Sequence, residues 1–144
     1  MTVHLLKLCV GIDDIEQLAR AQRRRLRQAR AAGQPAELKH LTRHRPKRAA
    51  EVLDGGSLYW VIRGVIRVRQ RLLELRQEED ADRGSVCALV LDPELVPTIP
   101  RRFRAFQGWR YFPAADAPAD APAGWRGDGL PRELETELRD LGLI

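Results

Sequence analysis

The segment from residue 57 to residue 76, SLYWVIRGVIRVRQRLLELR, constrains the fold of this 144-residue chain more than any other. Apolar side chains occupy most even positions from Trp60 onward. The odd positions include four arginines, Arg63, Arg67, Arg69 and Arg71. A period of two is typical of a strand with one buried face and one wet face. Gly64 interrupts the run and predicts a bend, a bulge or a tight turn between two strands.

A helix is predicted near the N-terminus, after a first strand over residues 2–10. Asp13 followed three residues later by Glu16 resembles a capping box, and Gly33 with Pro35 ends the helix. Its apolar stripe consists of Ile15, Leu18, Ala19, Leu26 and Ala29. Gln22 lies in the middle of this stripe and is its one polar interruption.

The remaining segments predict short strands and loops. Residues 38–48 read as a loop or an irregular strand, and residues 77–84 as an acidic loop. A buried strand is predicted over 85–91, an extended segment over 95–100, a strand over 103–112, a surface loop over 114–129, and a final helix from Pro131 with Leu134, Leu138 and Leu141 as its apolar seam.

These elements predict one domain over residues 1–144, of the α+β class. Wet and apolar faces alternate along the central strands, and no crossover helix separates them, which disfavours a doubly wound parallel sheet. We therefore expect a small mixed or antiparallel β-barrel with an N-terminal basic helix and a C-terminal helix.

Charge is distributed unevenly along the chain. The net charge is +5, but residues 1–72 carry +10 and residues 73–144 carry −5. Such asymmetry favours an anionic partner, with nucleic acid as the first candidate. The competing interpretation is a GC-rich genome, which enriches Arg and Ala together. One face of the predicted helix carries Arg20, Arg23, Arg24, Arg27 and Arg30, with Arg25 on its flank.

A nucleic-acid surface is the leading hypothesis for these charges. The proline-marked loop supplies Thr42, Arg43, Arg45, Lys47 and Arg48. Arg63 would extend the surface along a strand, and Tyr59, Trp109 and Tyr111 are the aromatic candidates for stacking on a base. The alternative is that the aromatic residues belong to the core and the arginines form a solvated face, and for Trp60 we expect a core position.

The sequence predicts no catalytic residue, no metal and no cofactor. His40 and His44 have the spacing of a helical ligand pair, but the surrounding bases would repel a metal ion. Cys9 and Cys87 lie in apolar runs and read as buried thiols. An enzyme using His40 or His44 as an acid–base group on RNA or a nucleotide stays open as a third alternative.

The sequence predicts neither a membrane span nor a signal peptide. No apolar run approaches the ~20 residues that cross a bilayer. The first residues, MTVHLLKLCVG, have a lysine in their middle and no small-residue cleavage site. We therefore expect a cytoplasmic protein without a membrane partner.

Several segments resemble a family of alphaproteobacterial proteins known as a domain of unknown function. They are TVHLLKLCVGID, TRHRPKR, the strand segment from GGSLYWVIRG onward, LVPT and RAFQGWRYF. The loop, the Gly-Gly turn and the strand LYWVIRGVI are also similar to the layout of ASCH and EVE domains in the PUA-like superfamily, which mostly bind RNA or modified bases. That resemblance implies a ligand cleft near Thr42, Arg43, Lys47, Arg48, Tyr59 and Trp60.

We therefore expect a non-enzymatic RNA-binding domain of the PUA-like type. The alternative is a protein-interaction or assembly factor, in which Arg20, Arg23, Arg24 and Arg27 dock on an acidic protein partner.

Overall fold

A computed structural model describes residues 1–104 and 106–122 of the chain. The predicted C-terminal helix and the end of the predicted loop over 114–129 lie outside these residues. The described helices are α1 (Ile15–Ala31), α2 (Ala49–Val52) and a 3₁₀ turn (Ala114–Asp116). The strands are β1 (Val3–Leu8), β2 (Leu38–Thr42), β3 (Ser57–Ile62), β4 (Val65–Asp80), β5 (Gly84–Leu91), β6 (Val96–Arg102) and β7 (Trp109–Pro113).

Of the bend, the bulge and the tight turn that the sequence allows at Gly64, the structure has the tight turn between two strands. Strands β3 and β4 are antiparallel, and Ile62 pairs with Val65 across a two-residue turn. Arg63 and Gly64 both have positive φ angles, 51° and 77°. Two consecutive positive φ angles match the right-handed twist of the flanking strands, which is why this turn type closes hairpins.

Strand β4 is longer than the sequence indicated and is irregular at two places. Its register shifts between Ile66 and Val68 against β3 and β6, and between Leu72 and Glu74 against β5. Each β-bulge inserts one extra residue, which bends the strand and increases its twist. The prediction of a loop over 77–84 is wrong, because β4 continues to Asp80 and only residues 81–83 form the turn.

Ion pairs within β4, and between β4 and the start of β2, explain why an acidic segment remains in a strand. Glu78 accepts a hydrogen bond from Lys39 at 3.0 Å and lies 3.3 Å from Arg76. Arg76 also contacts Glu37 at 3.1 Å. These contacts compensate the charge of Glu78, which the sequence places in an acidic, loop-like segment.

The sheet is mixed and open, so the expected closed barrel is wrong. Its order is β2-β5-β4-β3-β1-β7, and β6 pairs with β4 beside this path. Only β1 and β3 are parallel, and the other described pairs are antiparallel. Strands β2 and β7 end the path without pairing with each other in the described chain. The prediction of an α+β domain is nevertheless confirmed.

Helix α1 begins one residue later than the capping pattern indicated. Asp14 is the N-cap and accepts a hydrogen bond from the Gln17 amide at 2.7 Å. The Gln17 side chain accepts one in return from the Asp13 amide at 2.8 Å. Gln17 thus takes the role predicted for Glu16, and the helix start is otherwise confirmed.

Both faces of the central sheet are buried, each by its own cluster. One cluster includes Leu5, Leu58, Trp60, Ile62 and Leu89, and α1 packs on it through Ile15, Leu18 and Leu26. The other consists of Leu6, Tyr59, Val61, Ile66 and Phe112, against which Phe103 and Phe106 pack. All six residues of β3 are buried as a result.

Candidate anion-binding cleft

The proline-marked loop after β2 is held in place by its own contacts. Thr42 ends β2, is buried, and donates a side-chain hydrogen bond to the His44 carbonyl at 3.1 Å. Arg45 donates to the Leu75 carbonyl at 3.0 Å, and Arg48 forms an ion pair with Glu51 at 2.5 Å. Arg43 and Lys47 are exposed and enter no ion pair within the described residues. These two cations of the loop are therefore available to a ligand.

The structure brings this loop together with the aromatic residues of β7. The Trp109 indole donates to the His44 carbonyl at 2.9 Å, and the Tyr111 hydroxyl accepts from the Arg48 amide at 2.9 Å. The two rings meet edge to face at 4.9 Å. Trp109 and Tyr111 are half-buried and support the loop, so neither ring is an open stacking platform.

Tyr59 and Arg63 lie away from the loop. Tyr59 is 4% exposed, with His4 and Phe112 packed edge-on against its ring at 5.0 and 5.4 Å. It has no exposed ring face for a base, which removes it from the predicted surface. Arg63 is exposed at the β3–β4 turn and makes no hydrogen bond or ion pair with the loop among the described residues.

The predicted arginine face of β4 does not join the loop either. Arg69 is the register partner of Tyr59, so its side chain lies on the opposite face of the sheet from α1. It forms a bidentate pair with Asp120, at 2.7 and 2.8 Å. That pair compensates its charge and ties the segment after β7 to the sheet.

A cleft absent from the sequence-based predictions lies between α1 and the curled sheet. Its volume is about 210 Å³. Residues from four elements and the end of β1 line it, among them Lys7, Cys9, Gln22, Arg25, His40 and Trp60. The curl of the sheet brings β2 opposite β1, and α1 closes one side.

The cleft is cationic. Lys7, Arg25 and Lys39 line it, and no carboxylate does so among the described residues. Lys39 is paired with Glu78, but Lys7 and Arg25 have no ion pair within the described chain. Burial lowers the pKa of the Lys7 ammonium, and the nearby Arg83 lowers it further. The positive potential is therefore uncompensated by the described protein groups.

His40 points into this environment as a neutral imidazole. Burial lowers its pKa to about 4, and Lys7, Arg25 and Arg83 act in the same direction. Its ring meets Trp60 edge to face at 5.3 Å. The buried Nε2 atom has no hydrogen-bond partner in the described residues. His40 thus offers a free ring nitrogen beside two cations.

A buried polar network lies beside the cleft and contributes Gln22 and Trp60 to its lining. The amide groups of Gln22 and Gln70 exchange two hydrogen bonds, at 2.8 and 2.9 Å. Gln70 also accepts from the Trp60 indole at 2.9 Å and donates to the Asp92 carbonyl at 3.0 Å. Gln22 and Gln70 are almost completely buried, so this network orders the junction between α1 and the sheet.

The described part of the chain gives little support for a reactive thiol or a metal site. Burial raises the pKa of the Cys9 thiol to about 11, so it is protonated at neutral pH. No group of three or more His, Cys, Asp or Glu side chains is arranged to hold a metal ion within residues 1–104 and 106–122.

Two sequence features could have indicated the cleft. Gln22 interrupts the apolar stripe of α1, and Lys7 interrupts the apolar run of β1. A polar residue on a buried face needs a partner or a ligand. Which of the two applies depends on contacts far apart in sequence.

A profile of the family described as "Protein of unknown function (DUF1489)" matches residues 5–144. The chain belongs to this family. Comparison with curated proteins and with solved structures gives no match to the chain. Within the described residues of this DUF1489 chain, no helix is long and apolar enough to cross a membrane.

Proposed function

We propose that this chain is a non-enzymatic domain that binds single-stranded RNA. The proposal depends on one observation. The arginines on the outer face of α1, the loop cations Arg43 and Lys47, and the cleft cations Lys7 and Arg25 form no ion pair with any described carboxylate. A polyanion supplies the missing counter-charge.

Repulsion between the arginines on the outer face of α1 destabilises the helix when no anionic partner is bound. Arg20 and Arg24 are one turn apart, as are Arg23 and Arg27, and all four are exposed. Like charges at this spacing destabilise an isolated helix by roughly 0.2–0.5 kcal/mol per pair. Packing of Leu18 and the Gln22 hydrogen bonds offset this cost, and bound phosphates would remove it.

Arginine suits a flexible single strand better than lysine does. Its planar guanidinium contacts phosphate in a bidentate manner and stacks on bases. The chain has 25 basic residues, of which only Lys7, Lys39 and Lys47 are lysines. The likeness to ASCH and EVE domains stays a prediction. Those domains are PUA-like barrels, whereas the sheet of this chain is open.

Fluorescence anisotropy with a labelled single-stranded RNA across a range of KCl concentrations tests the proposal. We expect log K to fall linearly with log salt, with a slope of about −0.7 per phosphate neutralised. The triple substitution Arg23→Gln, Arg24→Gln, Arg27→Gln should reduce both affinity and slope. The control Arg71→Gln, Arg102→Gln, Arg104→Gln removes the same charge from other exposed positions and should change much less.

The same variants separate the RNA proposal from a protein partner. If RNA does not bind at low salt, the proposal is overturned. Capture of an acidic protein that survives nuclease treatment, and is lost when Arg23, Arg24 and Arg27 are changed to Glu, would then favour the assembly-factor alternative. Equal losses in the triple variant and its control would indicate a non-specific effect of net charge.

An RNA-processing activity is less well supported by the geometry. An acid–base histidine needs a pKa near the working pH and a group that orients it. His40 has a pKa of about 4 and a free Nε2, and no described carboxylate lies beside it. The proposed domain therefore has no assigned catalytic residue.

A further inference from the structure

We infer that the cleft between α1 and the sheet is a site for a phosphate monoester, held by Lys7 and Arg25 with His40 at its wall. The phosphate has two possible sources of the same chemistry: the terminal phosphate of a nucleic-acid strand, or a small free phosphorylated molecule. The first source rests on the proposed RNA-binding function, and the second is independent of it.

The charges of the cleft point to a multiply charged anion. Lys7 comes from β1 and Arg25 from α1, so two separate elements place cations around one space of about 210 Å³. Lys7 is half-buried and has no carboxylate partner in the described chain. A buried ammonium without a counter-ion is unfavourable, because it loses hydration and gains no Coulomb attraction. A dianionic phosphate restores that attraction for both cations.

His40 adds a neutral donor to the cationic pair. Its buried Nε2 is unpartnered in the described residues, and the ring is oriented by its edge contact with Trp60. A neutral imidazole has one N–H, and in the Nε2–H tautomer that group can donate to a phosphate oxygen once a rotation of the ring exposes this buried atom to the cleft. No described protein acceptor competes for this atom.

The volume of the cleft and the Gln22–Gln70 pair beside it limit the size and the recognition of the group attached to the phosphate. Pockets for drug-sized ligands typically have volumes of about 300–1,000 Å³, and this one is smaller. The Gln22 and Gln70 amides are bonded to each other, so they do not read the edge of a base. The site therefore recognises charge, with little contact to the rest of the ligand.

A terminal phosphate fits this arrangement better than an internal one. A phosphodiester carries a single negative charge and has chain on both sides, whereas a monoester carries up to two charges and a single substituent. A cleft of this size accepts one substituent directed toward solvent. Binding should accordingly discriminate strand ends from strand interiors.

Titration of the intact protein with inorganic phosphate, followed by ³¹P and imidazole NMR, tests the site directly. We expect saturable binding and a shift of the His40 ring signals, while the exposed His44 signals stay unchanged. Sulfate should compete, and acetate should bind at least about tenfold more weakly. Lys7→Met and Arg25→Gln should each weaken phosphate binding about tenfold or more. Arg71→Gln, an exposed arginine of β4 that does not line the cleft, is the matched control and should leave binding unchanged.

Three RNA probes of one sequence distinguish the sources. They carry a 5′-phosphate, a 3′-phosphate or hydroxyls at both ends. If the ligand is a strand end, one phosphorylated probe binds about tenfold more tightly than the hydroxyl probe, and Arg25→Gln removes the difference. If the source is a small molecule, a nucleoside monophosphate competes with inorganic phosphate while the three RNA probes bind equally.

The same experiments distinguish failure of the phosphate site from failure of the RNA proposal. Equal, salt-dependent binding of all three RNA probes, without any binding of inorganic phosphate, overturns the cleft site and leaves the RNA proposal intact. Phosphate binding without RNA binding supports the cleft site and overturns the RNA proposal. If Lys7→Met does not fold, as judged by its circular dichroism, Arg25→Gln decides the result, because Arg25 is exposed and its removal leaves no buried group unpaired.

Discussion

Gln22 of α1 and Gln70 of β4 face each other across the core and exchange two amide hydrogen bonds, at 2.8 and 2.9 Å. They are 48 residues apart in sequence, and Trp60 donates a third hydrogen bond to the Gln70 oxygen. Buried polar groups stabilise a fold only when all of them are paired. The pair therefore fixes the position of α1 on the sheet and, with it, the width of the cleft.

Gln70→Leu should lower the free energy of unfolding by about 3 kcal/mol, because it leaves the Trp60 indole and the Gln22 amide buried without partners. Urea denaturation measures the change. Gln22→Leu should cost less, since Gln70 keeps its bonds to Trp60 and the Asp92 carbonyl. The double variant should lose less than the sum of the single changes. Strict additivity would contradict a coupled pair.

Trp109→Phe should loosen the loop over residues 43–48 while keeping an aromatic ring in place. The change removes the indole hydrogen bond to the His44 carbonyl and should cost about 1 kcal/mol of unfolding free energy. Hydrogen exchange should accelerate in the loop, including at the Arg48 amide, and remain slow in β5. Phe112→Leu is a useful comparison, because that ring packs in the other cluster and should leave loop exchange unchanged.

Protonation of His40 should destabilise the protein in mild acid. This effect should begin at a higher pH than the titration of most carboxylates. Its folded pKa is about 4, against 6.5 for the unfolded chain, so the unfolded state binds more protons between these values. Stability is fully present above pH 6.5 and falls as the pH approaches 4, by at most about 3 kcal/mol.

Urea denaturation at a series of pH values measures this dependence. His40→Phe should flatten it, and His44→Gln should preserve it, because His44 is exposed. His4, whose pKa is also lowered by burial and by Arg69, contributes in the same direction and accounts for a residual slope. An unchanged slope in His40→Phe would contradict the assignment.

The Cys9 thiol should be unreactive although it borders the cleft. A pKa of about 11, against an ordinary 9.0, reduces the thiolate fraction at neutral pH about 100-fold. Alkylation of a Cys87→Ser variant, followed by mass spectrometry, should be slower than alkylation of the same variant in denaturant by at least that factor. Equal rates in the two states would show that the thiol is neither buried nor shifted.

Local features of the chain were largely predictable. The period of two around Trp60, the turn at Gly64 and the acidic cap before α1 all act over a few residues, and the structure has each of them within a residue or two. The extension of β4 to Asp80 was not predictable, because it depends on contacts that compensate the charge of Glu78. Lys39 on β2 provides one of them, and Arg76, two residues earlier on β4, provides the other.

The candidate site was also predictable only in the features that neighbouring residues decide. The loop of Thr42–Arg48 and the aromatic pair of Trp109 and Tyr111 were singled out by composition, and the structure joins them through the His44 carbonyl and the Arg48 amide. Composition could not show that these aromatic residues support the loop, or that Tyr59 is enclosed. Both facts depend on which face of the sheet each strand turns toward its neighbours.

The sequence by itself determined the strand pattern around Trp60, the turn at Gly64, the helix and the excess of positive charge, because periodicity, caps and turn residues act locally. It did not determine the bounds of the later strands, since the strand predicted over 103–112 begins only at Trp109. Only the tertiary structure decided that the sheet curls without closing and that Lys7, Arg25 and His40 surround one cleft. The two bulges of β4 bend the sheet, and that bend brings side chains from β1, α1 and β2 together. A local pattern states which side of an element is buried, but not which other elements it meets there.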